Sequence, residues 1–370
     1  MRILVLTKRQ YMNKDLIDDR FGRFREIPLA LSQMGHQVTG LCLSYAHRNE
    51  GSIKDGLVLW KSMNASALKI PGLMRFMLEA LRLAFKSDVI WACSDSVYGA
   101  IGCLLGRISK KPVVFDIYDN FGEFYTARLP LMRQLFHWAI RRSDAVTCLS
   151  KPFEQYIRHE LGRTEKVYTL EFAVRADLFK PADMLDCRQR LNLPLHVPII
   201  GTAGGLYKIR EAHLLVEAFM TLKDKYSDLQ LALAGPRDAD FMIPNEPRIR
   251  DLGILQFEKV PYFWGSLDVA VICYAADKFG EYCFPQKTRE IMACNIPLVA
   301  ARVGSLKELL QDHPDWLYAP GDLSSLVKAI ERRLTDSSTG YPPAPTWVDL
   351  AERLEDIMLK LCKGKPIQQP

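Results

Sequence analysis

The sequence predicts an α/β protein of two domains, each a doubly wound sheet of parallel strands covered by helices. Its 370 residues exceed the usual size of one compact domain and favour two. Short, continuously apolar runs alternate with amphipathic stretches, as parallel strands buried on both faces require. A second such series begins after the linker-like stretch "FKPADMLDCRQRLNLPLHVP". These three observations together define the fold class.

The first series lies in residues 1–178, the predicted N-terminal domain. Its seven apolar runs are at 3–6, 37–43, 57–60, 88–92, 112–117, 144–149 and 166–170. Amphipathic patterns such as "RFREIPLALSQMGH" lie between them and are typical of helices that cover a sheet. The first run leads into a segment whose single glycine is Gly22, without the GxGxxG pattern of dinucleotide sites. A nicotinamide or flavin cofactor is therefore not expected.

The second series lies in residues 179–346, the predicted C-terminal domain. Its apolar runs are at 199–203, 229–235, 268–274, 297–301 and 316–319. A final amphipathic helix at 347–362 is predicted to pack back on the N-terminal domain. Two Rossmann-like domains in series are expected to leave a cleft where the carboxyl ends of their strands face each other. Such a cleft is the default ligand site.

Composition indicates a folded, intracellular protein. Hydrophobic residues make up 48% and charged residues 25%, and no apolar stretch is long enough to cross a bilayer. The start, "MRILVLTKRQ", resembles a first strand more than a secretory signal, which predicts a cytoplasmic location. The nine cysteines include no CxxC pair, so we expect neither disulfides nor structural zinc.

Positive charge is concentrated in the first half. Residues 1–180 contain 27 Lys and Arg against 18 Asp and Glu, within a net charge of +6. An anionic neighbour, either membrane headgroups or nucleic acid, would explain this excess, and so would an uneven solvated surface. No motif beyond the charge supports nucleic acid, and we expect none to be bound.

The turn after the first strand of the second domain has features of a phosphate site. "GTAGGLYKIREAHLLVEAF" places Gly204 and Gly205 between a strand and a helix, and Lys208 and Arg210 near the start of that helix. Paired glycines let backbone N–H groups approach a phosphate, and nearby cations neutralise it. A tight strand-to-helix turn with solvated basic residues is the alternative interpretation.

A second helix start, in "FPQKTREIMACNIPLVA", also carries a cation. Pro285 suits the first helical position, and Asn295 is suited to end the helix in a left-handed conformation. Lys287 and Glu290 are three residues apart and share a face. A lysine in the first turn opposes the helix dipole unless an anion lies nearby. A bound diphosphate would be that anion, whereas a surface ion pair is the alternative.

The run "FPQKTREIMACNIPLVAARVGSLKELL" resembles the donor-binding region of family-4 retaining glycosyltransferases, which have the GT-B fold and belong to the group 1 type. The similarity covers nearly the whole chain. "LALSQMGHQVTGLCL" resembles the family's first helix and second strand, and "RRSDAVTCLSKPFEQYIRHELG" a later strand and helix. "LFKP" resembles the interdomain linker, and "LVEAF" with "LQLALAG" the nucleotide domain.

The resemblance implies a role for individual residues. It implies that Glu290 binds the ribose of a nucleotide-sugar donor and that Arg210 and Lys287 act on the diphosphate. Further donor-binding residues are implied directly or lie next to a position that is functional in the family. They are Gly22, Gly204, Gly205, Lys208, Glu281, Gly304 and Ser305.

Four departures from the family pattern concern the donor and sugar contacts. Gly205 stands where the family has an arginine, which leaves Lys208 or Arg210 to supply the charge. The upstream glutamate of the E-x7-E pair falls on Tyr282, with Glu281 one residue away. The family's "NGVD" stretch reads "FAVR" at 172–175, and Tyr118, followed by Asp119, replaces a histidine.

The chemistry implied is transfer with retention, without a metal or other cofactor. Preorganised donors and cations can stabilise a departing diphosphate, and no DxD-like cluster stands at a phosphate position. The departing phosphate would accept the proton of the incoming hydroxyl. Asp119 or Glu123, after a strand's carboxyl end, would orient the acceptor, or else serve as loop or capping residues.

The acceptor is expected to be a glycan or a lipid-linked molecule, as in cell-surface polysaccharide or lipopolysaccharide synthesis. "PGLMRFMLEALRLAFKSD" and "LMRQLFHWAIRR" combine apolar and basic residues and would suit a peripheral contact with the inner membrane, or simply cover the sheet. Two other functions stay open, a nucleotide-sugar 2-epimerase of the same fold and an inactive nucleotide-sugar-binding protein.

Overall fold

The computed structural model describes residues 1–11, 14–65, 70–119 and 130–364. The chain forms two compact units. The first comprises Met1–Glu171 together with Trp347–Pro370, and the second comprises Phe172–Thr346. The change from one unit to the next thus follows Glu171, whereas the sequence pattern placed the boundary after residue 178.

The first unit is built on an eight-stranded sheet with the order β10-β9-β8-β7-β1-β4-β6-β5. Every neighbouring pair is parallel except β5 with β6. The strands are β1 Arg2–Lys8, β4 Gln37–Ser44, β5 Gly51–Asp55, β6 Val58–Asn64, β7 Val89–Cys93, β8 Val113–Ile117, β9 Ala145–Cys148 and β10 Val167–Thr169, and a separate hairpin joins β2 Gln10–Tyr11 to β3 Lys14–Asp15.

All seven apolar runs of the first series are strands, which confirms the predicted parallel sheet. Strands β7, β8 and β9 are buried at every residue, as continuous apolar runs require. The covering helices are α1 Arg23–Gln33, α2 Ile70–Lys86, α3 Ser96–Ser109, α4 Pro130–Arg142 and α5 Lys151–His159. Side-chain caps begin two of them, because Asp95 accepts from the Val97 N–H and Ser150 from the Phe153 N–H.

The strands that the apolar pattern missed are short or lie at an edge. Strand β5 is mostly exposed, so its residues "GSIKD" show no apolar run. The β2–β3 hairpin is held by the packing of the Tyr11 ring on Phe24 and Tyr118 and by a polar network. The buried Arg9 guanidinium donates through Nε to both carboxylate oxygens of Asp15 at 3.0 Å and through Nη1 to the Ser62 hydroxyl at 2.8 Å. Such a network leaves no periodic signal.

A buried ion pair ties the start of α1 to the sheet. Both Arg23 and Asp116 are completely buried. Arg23 donates through Nε and Nη2 to the two oxygens of Asp116, at 3.1 and 3.2 Å, and through Nη1 to the Leu170 carbonyl at 2.9 Å. The Thr147 hydroxyl also donates to Asp116, at 2.9 Å. The residue before α1, Gly22, is thereby fixed relative to the carboxyl end of β8.

The second unit contains a six-stranded, wholly parallel sheet with the order β13-β12-β11-β14-β15-β16. Its strands are β11 Ile199–Ala203, β12 Gln230–Ala234, β13 Ile249–Asp251, β14 Val269–Ile272, β15 Leu298–Ala301 and β16 Leu317–Tyr318. Its helices are α6 Met184–Arg190, α7 Ala212–Leu222, α8 Val260–Gly265, α9 Lys278–Tyr282, α10 Gln286–Ala293, α11 Gly304–Leu309 and α12 Leu323–Thr335. The five predicted strands are confirmed, and the largely exposed edge strand β13 is additional.

The final helix, α13 Trp347–Lys363, belongs to the first unit. It packs on α1. His36, which follows α1, and Glu355 on α13 are joined between Nε2 and Oε1 at 2.6 Å. The Arg353 guanidinium donates to the Thr169 carbonyl at 2.6 Å. These contacts attach the helix to the end of α1 and to β10.

All nine cysteines are free thiols, and eight of them are buried. In the described part of the chain, no three His, Cys, Asp or Glu side chains are grouped so that they could hold a metal ion. None of the described helices has the length and apolar character needed to cross a membrane.

Candidate functional site

The turn after β11 depends on two glycines in contact. Gly204 has φ +99° and donates its N–H to the Ala234 carbonyl at 2.9 Å. A Cβ on Gly235, which has φ +131°, would lie 2.1 Å from the Gly204 carbonyl oxygen. Both positions therefore require glycine. The backbone of Gly204 is exposed at the carboxyl end of the central strands, where parallel sheets bind ligands.

Gly205 leaves room for an aromatic ring. A Cβ at this position would lie 2.2 Å from a carbon of the Tyr207 ring. The ring would have to move before any side chain, including the family's arginine, fitted here. Position 205 therefore contributes backbone alone, without a charged side chain.

Arg210 is a half-buried cation without a counter-ion among the described residues. Its guanidinium carbon lies 5.6 Å from the ring centroids of both Tyr207 and Tyr274, which hold it by cation–π contacts. Its Nε is buried and lacks a hydrogen-bond partner within the part of the chain that the structure describes. Two aromatic rings thus keep an uncompensated positive charge in place.

Lys287 lies one residue inside α10, which begins one residue later than predicted because Pro285 is its N-cap. Its ammonium donates to the Ala203 carbonyl at 3.0 Å and to the Thr202 hydroxyl at 3.3 Å. It thus reaches the carboxyl end of β11. Removal from water and the nearby charge of Arg210 lower the pKa of Lys287 to about 7.

Glu290 is buried one turn further along α10, with 7% of its surface exposed. The Trp264 indole N–H donates to Oε2 and the Gln286 amide to Oε1, each at 3.2 Å. Removal from water raises the pKa of Glu290 to about 7 in spite of these bonds. The predicted end of the helix is confirmed, because Asn295 has φ +58°.

The turns at α9 and α11 bring three further predicted residues together, bonded to one another or to the backbone. Gly304 donates its N–H to the Glu281 carboxylate at 3.3 Å. The buried Ser305 hydroxyl donates to the Cys283 carbonyl at 2.8 Å. Gly304 has φ +47°, and a Cβ there would lie 2.3 Å from the Glu281 carbonyl oxygen. The groups predicted to contact phosphate already have protein partners here.

Lys208 is the most exposed of the predicted cations. It begins the short 3₁₀ turn Lys208–Arg210, and its backbone N–H donates to the Asp238 carboxylate at 2.7 Å. Its side chain lies at the surface, so Arg210 and Lys287 are the two cations with partly buried positions at this strand end.

Gly22 and Asp119 belong to the first unit. Gly22 has φ +90°, and a Cβ there would lie 1.9 Å from the Tyr11 hydroxyl oxygen, so glycine is required. Asp119 is half-buried after β8. Glu123, the other predicted acid, lies outside the described residues.

A neighbouring cation was missed by the sequence analysis. Lys8, at the end of β1, lies with its Nζ 5.5 Å from the Tyr118 ring centroid. Removal from water lowers its pKa, and the charges of Asp95 and Asp119 oppose this shift. The rule that carboxyl ends of parallel strands meet at one edge could have identified Lys8.

Two residues that hold Glu290 were also missed. Gln286 is four residues before Glu290, a spacing that brings side chains together on a helix and so could have been used. Trp264 is on α8, and only the packing of α8 against α10 brings it to the carboxylate.

Two Rossmann-like units are the architecture of the GT-B class, and solved structures of that class share this fold. Sucrose-phosphate synthase from Thermosynechococcus elongatus has a TM-score of 0.70 and 18% identity, over 97% of this chain and 94% of that one. HepE from Anabaena, solved in complex with UDP, has a TM-score of 0.69 and 18% identity, over 98% of each chain. At this identity the likeness concerns the fold.

Comparison of the sequence with family models assigns the chain to a family. Residues 24–177 match the family model "Glycosyltransferase Family 4" and residues 197–336 match "Glycosyl transferases group 1". The chain belongs to the group 1 glycosyltransferases. It is 27% identical over 291 residues to the 2-deoxystreptamine glucosyltransferase of Streptomyces kanamyceticus, covering 73% of this chain and 72% of that protein. It is 24% identical over 283 residues to the GPI3 subunit of the phosphatidylinositol N-acetylglucosaminyltransferase of Saccharomyces cerevisiae, covering 71% and 61%.

Proposed function

We propose that this protein is a retaining glycosyltransferase that moves a sugar from a nucleotide-diphosphate sugar to a glycan or lipid-linked acceptor. The observation that carries the proposal is the pair of cations, Arg210 and Lys287, at the carboxyl end of β11. They are close enough for Arg210 to lower the pKa of Lys287. Neither forms an ion pair among the described residues. Two repelling cations beside an exposed glycine turn favour a bound anion, and a diphosphate has the required charge.

Glu290 supports the nucleotide part of the proposal. A buried carboxylate held by Trp264 and Gln286 has lone pairs left to accept hydrogen bonds from two neighbouring hydroxyls, as a ribose offers. Because Lys287 and Glu290 lie on the same helix, the diphosphate and the ribose would bind next to each other. The further donor contacts that we propose are Gly204, Gly205, Lys208, Glu281, Gly304, Ser305 and Gly22. Gly304 and Ser305 would exchange their bonds to Glu281 and Cys283 for bonds to the donor.

The bond-breaking step would use these cations. As the sugar–phosphate bond breaks, negative charge develops on the departing diphosphate, and Arg210 and Lys287 stabilise that charge without a metal. A departing phosphate oxygen accepts the proton of the incoming hydroxyl, and the new bond forms on the face that the leaving group vacates. Asp119 orients the acceptor in this scheme.

The bound ligands and names of related proteins support the proposed substrate classes. HepE was solved with UDP and with UDP-glucose, which favours a nucleotide-diphosphate sugar as the donor. TuaH of Bacillus subtilis, 24% identical over 229 residues, is described as a putative teichuronic acid biosynthesis glycosyltransferase. The proposal includes a role in the synthesis of cell-surface polysaccharide or lipopolysaccharide and a cytoplasmic location of the protein.

The proposal is tested by thermal shifts with a panel of nucleotide diphosphates and their sugars, with and without EDTA. A ligand that binds only the folded protein raises the unfolding midpoint. We expect one nucleotide class to raise it selectively and EDTA to leave the shift unchanged. Absence of a shift with every nucleotide would contradict the donor site. Turnover of the donor sugar to its 2-epimer without an acceptor would favour an epimerase.

Replacing Trp264 with phenylalanine is expected to weaken binding of the selected nucleotide about tenfold. The change removes the indole N–H that fixes one oxygen of Glu290, and a hydrogen bond to a charged group contributes about 1.5–3 kcal/mol. Calorimetric titration measures the effect. The matched control is Trp316→Phe, a buried tryptophan of the same unit that stacks on His313. Equal losses of affinity in the two variants would contradict a positioning role for Trp264.

A further inference from the structure

Helices α2, α3 and α4 lie side by side on the first unit. Phe76 of α2 meets Tyr98 of α3, with ring centroids 6.0 Å apart at 85°. The Cys103 thiol of α3 donates to the Ala139 carbonyl of α4 at 3.6 Å. These four residues are buried and form the inward sides of the three helices. The opposite sides form one surface, which we call the α2–α4 face.

The α2–α4 face is unusually apolar for a surface that no described element covers. Seven of the fourteen large apolar side chains exposed among the described residues belong to it. They are Met74, Leu78 and Phe85 on α2, Leu104 and Ile108 on α3, and Leu131 and Trp138 on α4. On each helix the spacing of four, seven or eleven residues places them in a single stripe. The exposed fractions of Leu78 and Leu131 are 69% and 72%, so these side chains are almost fully accessible.

The same helices carry positive charge almost exclusively. Their basic residues are Arg75, Arg82, Lys86, Arg107, Arg133, Arg141 and Arg142, against a single acid, Glu79. The carboxylate of Glu79 is already bound by Lys61 at 2.5 Å and by Arg82 at 3.0 Å. Arg75 is paired with Glu50 outside these helices at 3.1 Å. The other cations, Lys86, Arg107, Arg133, Arg141 and Arg142, are not matched by acids on the three helices.

Topology gathers part of this charge at one edge. Each of the three helices connects strands that run parallel, so all three end at the amino edge of the sheet. Lys86, Arg107, Arg141 and Arg142 lie in the last turns of the helices. The helix dipole favours a cation in the last turn of a helix, and this accounts for each of these residues taken alone. The dipole does not explain the apolar stripes that run beside them.

We propose that the α2–α4 face binds the surface of a bilayer that contains anionic lipids. The exposed apolar side chains enter the region between headgroups and acyl chains, and the cations contact lipid phosphates. No described helix can cross a membrane, so the contact is peripheral. This contact is separate from the donor site in the second unit and does not depend on the reaction proposed for it.

Charge complementarity favours lipid over a second protein. The cores of protein interfaces are depleted in charge, and a protein partner would have to match several separate cations with acids at fixed positions. An anionic bilayer offers phosphates continuously and accepts apolar side chains at the same depth. The combination on this face is typical of interfacial helices.

The test measures binding of the full chain to vesicles by sedimentation, with phosphatidylcholine alone or mixed with phosphatidylglycerol. We expect binding to the mixed vesicles only, weakened by salt. Leu78→Ser with Phe85→Ser is expected to lower the partition coefficient at least about tenfold. The matched control is Met242→Ser with Ile254→Ser, two side chains of the second unit exposed by 79% and 76%. Circular dichroism verifies that each variant is folded.

A charge-reversal set separates electrostatic from apolar binding. Lys86→Glu, Arg107→Glu and Arg142→Glu together are expected to lower binding to the anionic vesicles on the order of 100-fold. The control has the same net charge and combines Lys180→Glu, Lys259→Glu and Lys328→Glu, all exposed in the second unit. Equal losses in both sets, or no binding by the wild type, would overturn the proposal. A lipid-free dimer that Leu78→Ser with Phe85→Ser converts to monomers would overturn it in favour of a second copy of the chain.

Discussion

Alanine in place of Glu290 is expected to weaken binding of the donor nucleotide by at least about 100-fold. A hydrogen bond to a charged group contributes about 1.5–3 kcal/mol, and the carboxylate is proposed to accept two from the ribose. Each 1.4 kcal/mol corresponds to about tenfold in affinity. Calorimetric titration with the nucleoside diphosphate measures the loss. Turnover is expected to fall at least as far, because the same contact orients the donor.

Controls separate this loss from misfolding. Glu217→Ala removes an exposed acid of α7 in the same unit and is expected to bind normally. Glu290→Gln keeps an acceptor oxygen and should lose less affinity than the alanine variant. If Glu290→Ala bound the nucleotide as tightly as the wild type, the ribose contact would be wrong.

The buried carboxylate also predicts how stability depends on pH. A folded-state pKa of about 7, raised from 4.5 by burial, means that the folded protein holds this proton more tightly than the unfolded chain does. Glu290 therefore costs stability progressively as the pH rises from 4.5 to 7, and the cost stays constant above 7. The shift corresponds to about 3 kcal/mol. In chemical unfolding without ligand, the stability of Glu290→Gln relative to the wild type should increase as the pH rises from 4.5 to 7.

Binding of the nucleoside diphosphate is expected to weaken as the pH rises above 7, by up to about tenfold per pH unit. Lys287 has a pKa of about 7 without ligand, so the ammonium loses its proton in this range. A bound diphosphate raises that pKa, because an adjacent anion stabilises the ammonium. At a pH between the pKa of free Lys287 and the higher pKa of the complex, Lys287 takes up a proton when the ligand binds. The affinity therefore falls as the pH rises through this range, because the free protein has lost that proton.

Lys287→Arg provides the matched variant. A guanidinium keeps its charge throughout this range, so the pH profile between 7.5 and 9 should become flat. Lys287→Met should also give a flat profile, with weaker binding at pH 7. Titrations in buffers of different ionisation enthalpy report the proton uptake directly. A flat wild-type profile, or release of protons on binding above pH 8, where Glu290 is already largely ionised, would contradict a diphosphate beside Lys287.

The fold could be predicted where the burial of an element produces a recognisable pattern of apolar residues along the sequence. Strands β7 and β8 are buried on both faces, so every residue must be apolar or internally paired, and the run is visible by eye. Strand β5 pairs at an exposed edge, and the β2–β3 hairpin depends on Arg9, which reaches residues as distant as Ser62. Neither arrangement imposes a pattern on the local sequence from which the strands could be predicted.

The candidate site divides in the same way. The shared face of Lys287 and Glu290 follows from helical spacing alone. The direction of the Lys287 ammonium does not, because the chain partners at Thr202 and Ala203 are supplied by a strand more than eighty residues earlier. The tyrosines around Arg210 come from two different strand ends, and Tyr207 accounts for the glycine at 205.

Local sequence was sufficient to predict the two largely parallel sheets, the short helix after Pro285, the glycine turn and the resemblance to group 1 glycosyltransferases. Each of these depends on neighbours along the chain, through periodicity, backbone preference or a contiguous motif. The three-dimensional packing was needed to show that Lys287 bonds to the end of β11, that Trp264 holds Glu290, and that Arg210 has no counter-ion among the described residues. Those facts set the pKa values of the site, because desolvation and charge depend on which atoms lie within a few ångströms, however far apart they are in sequence.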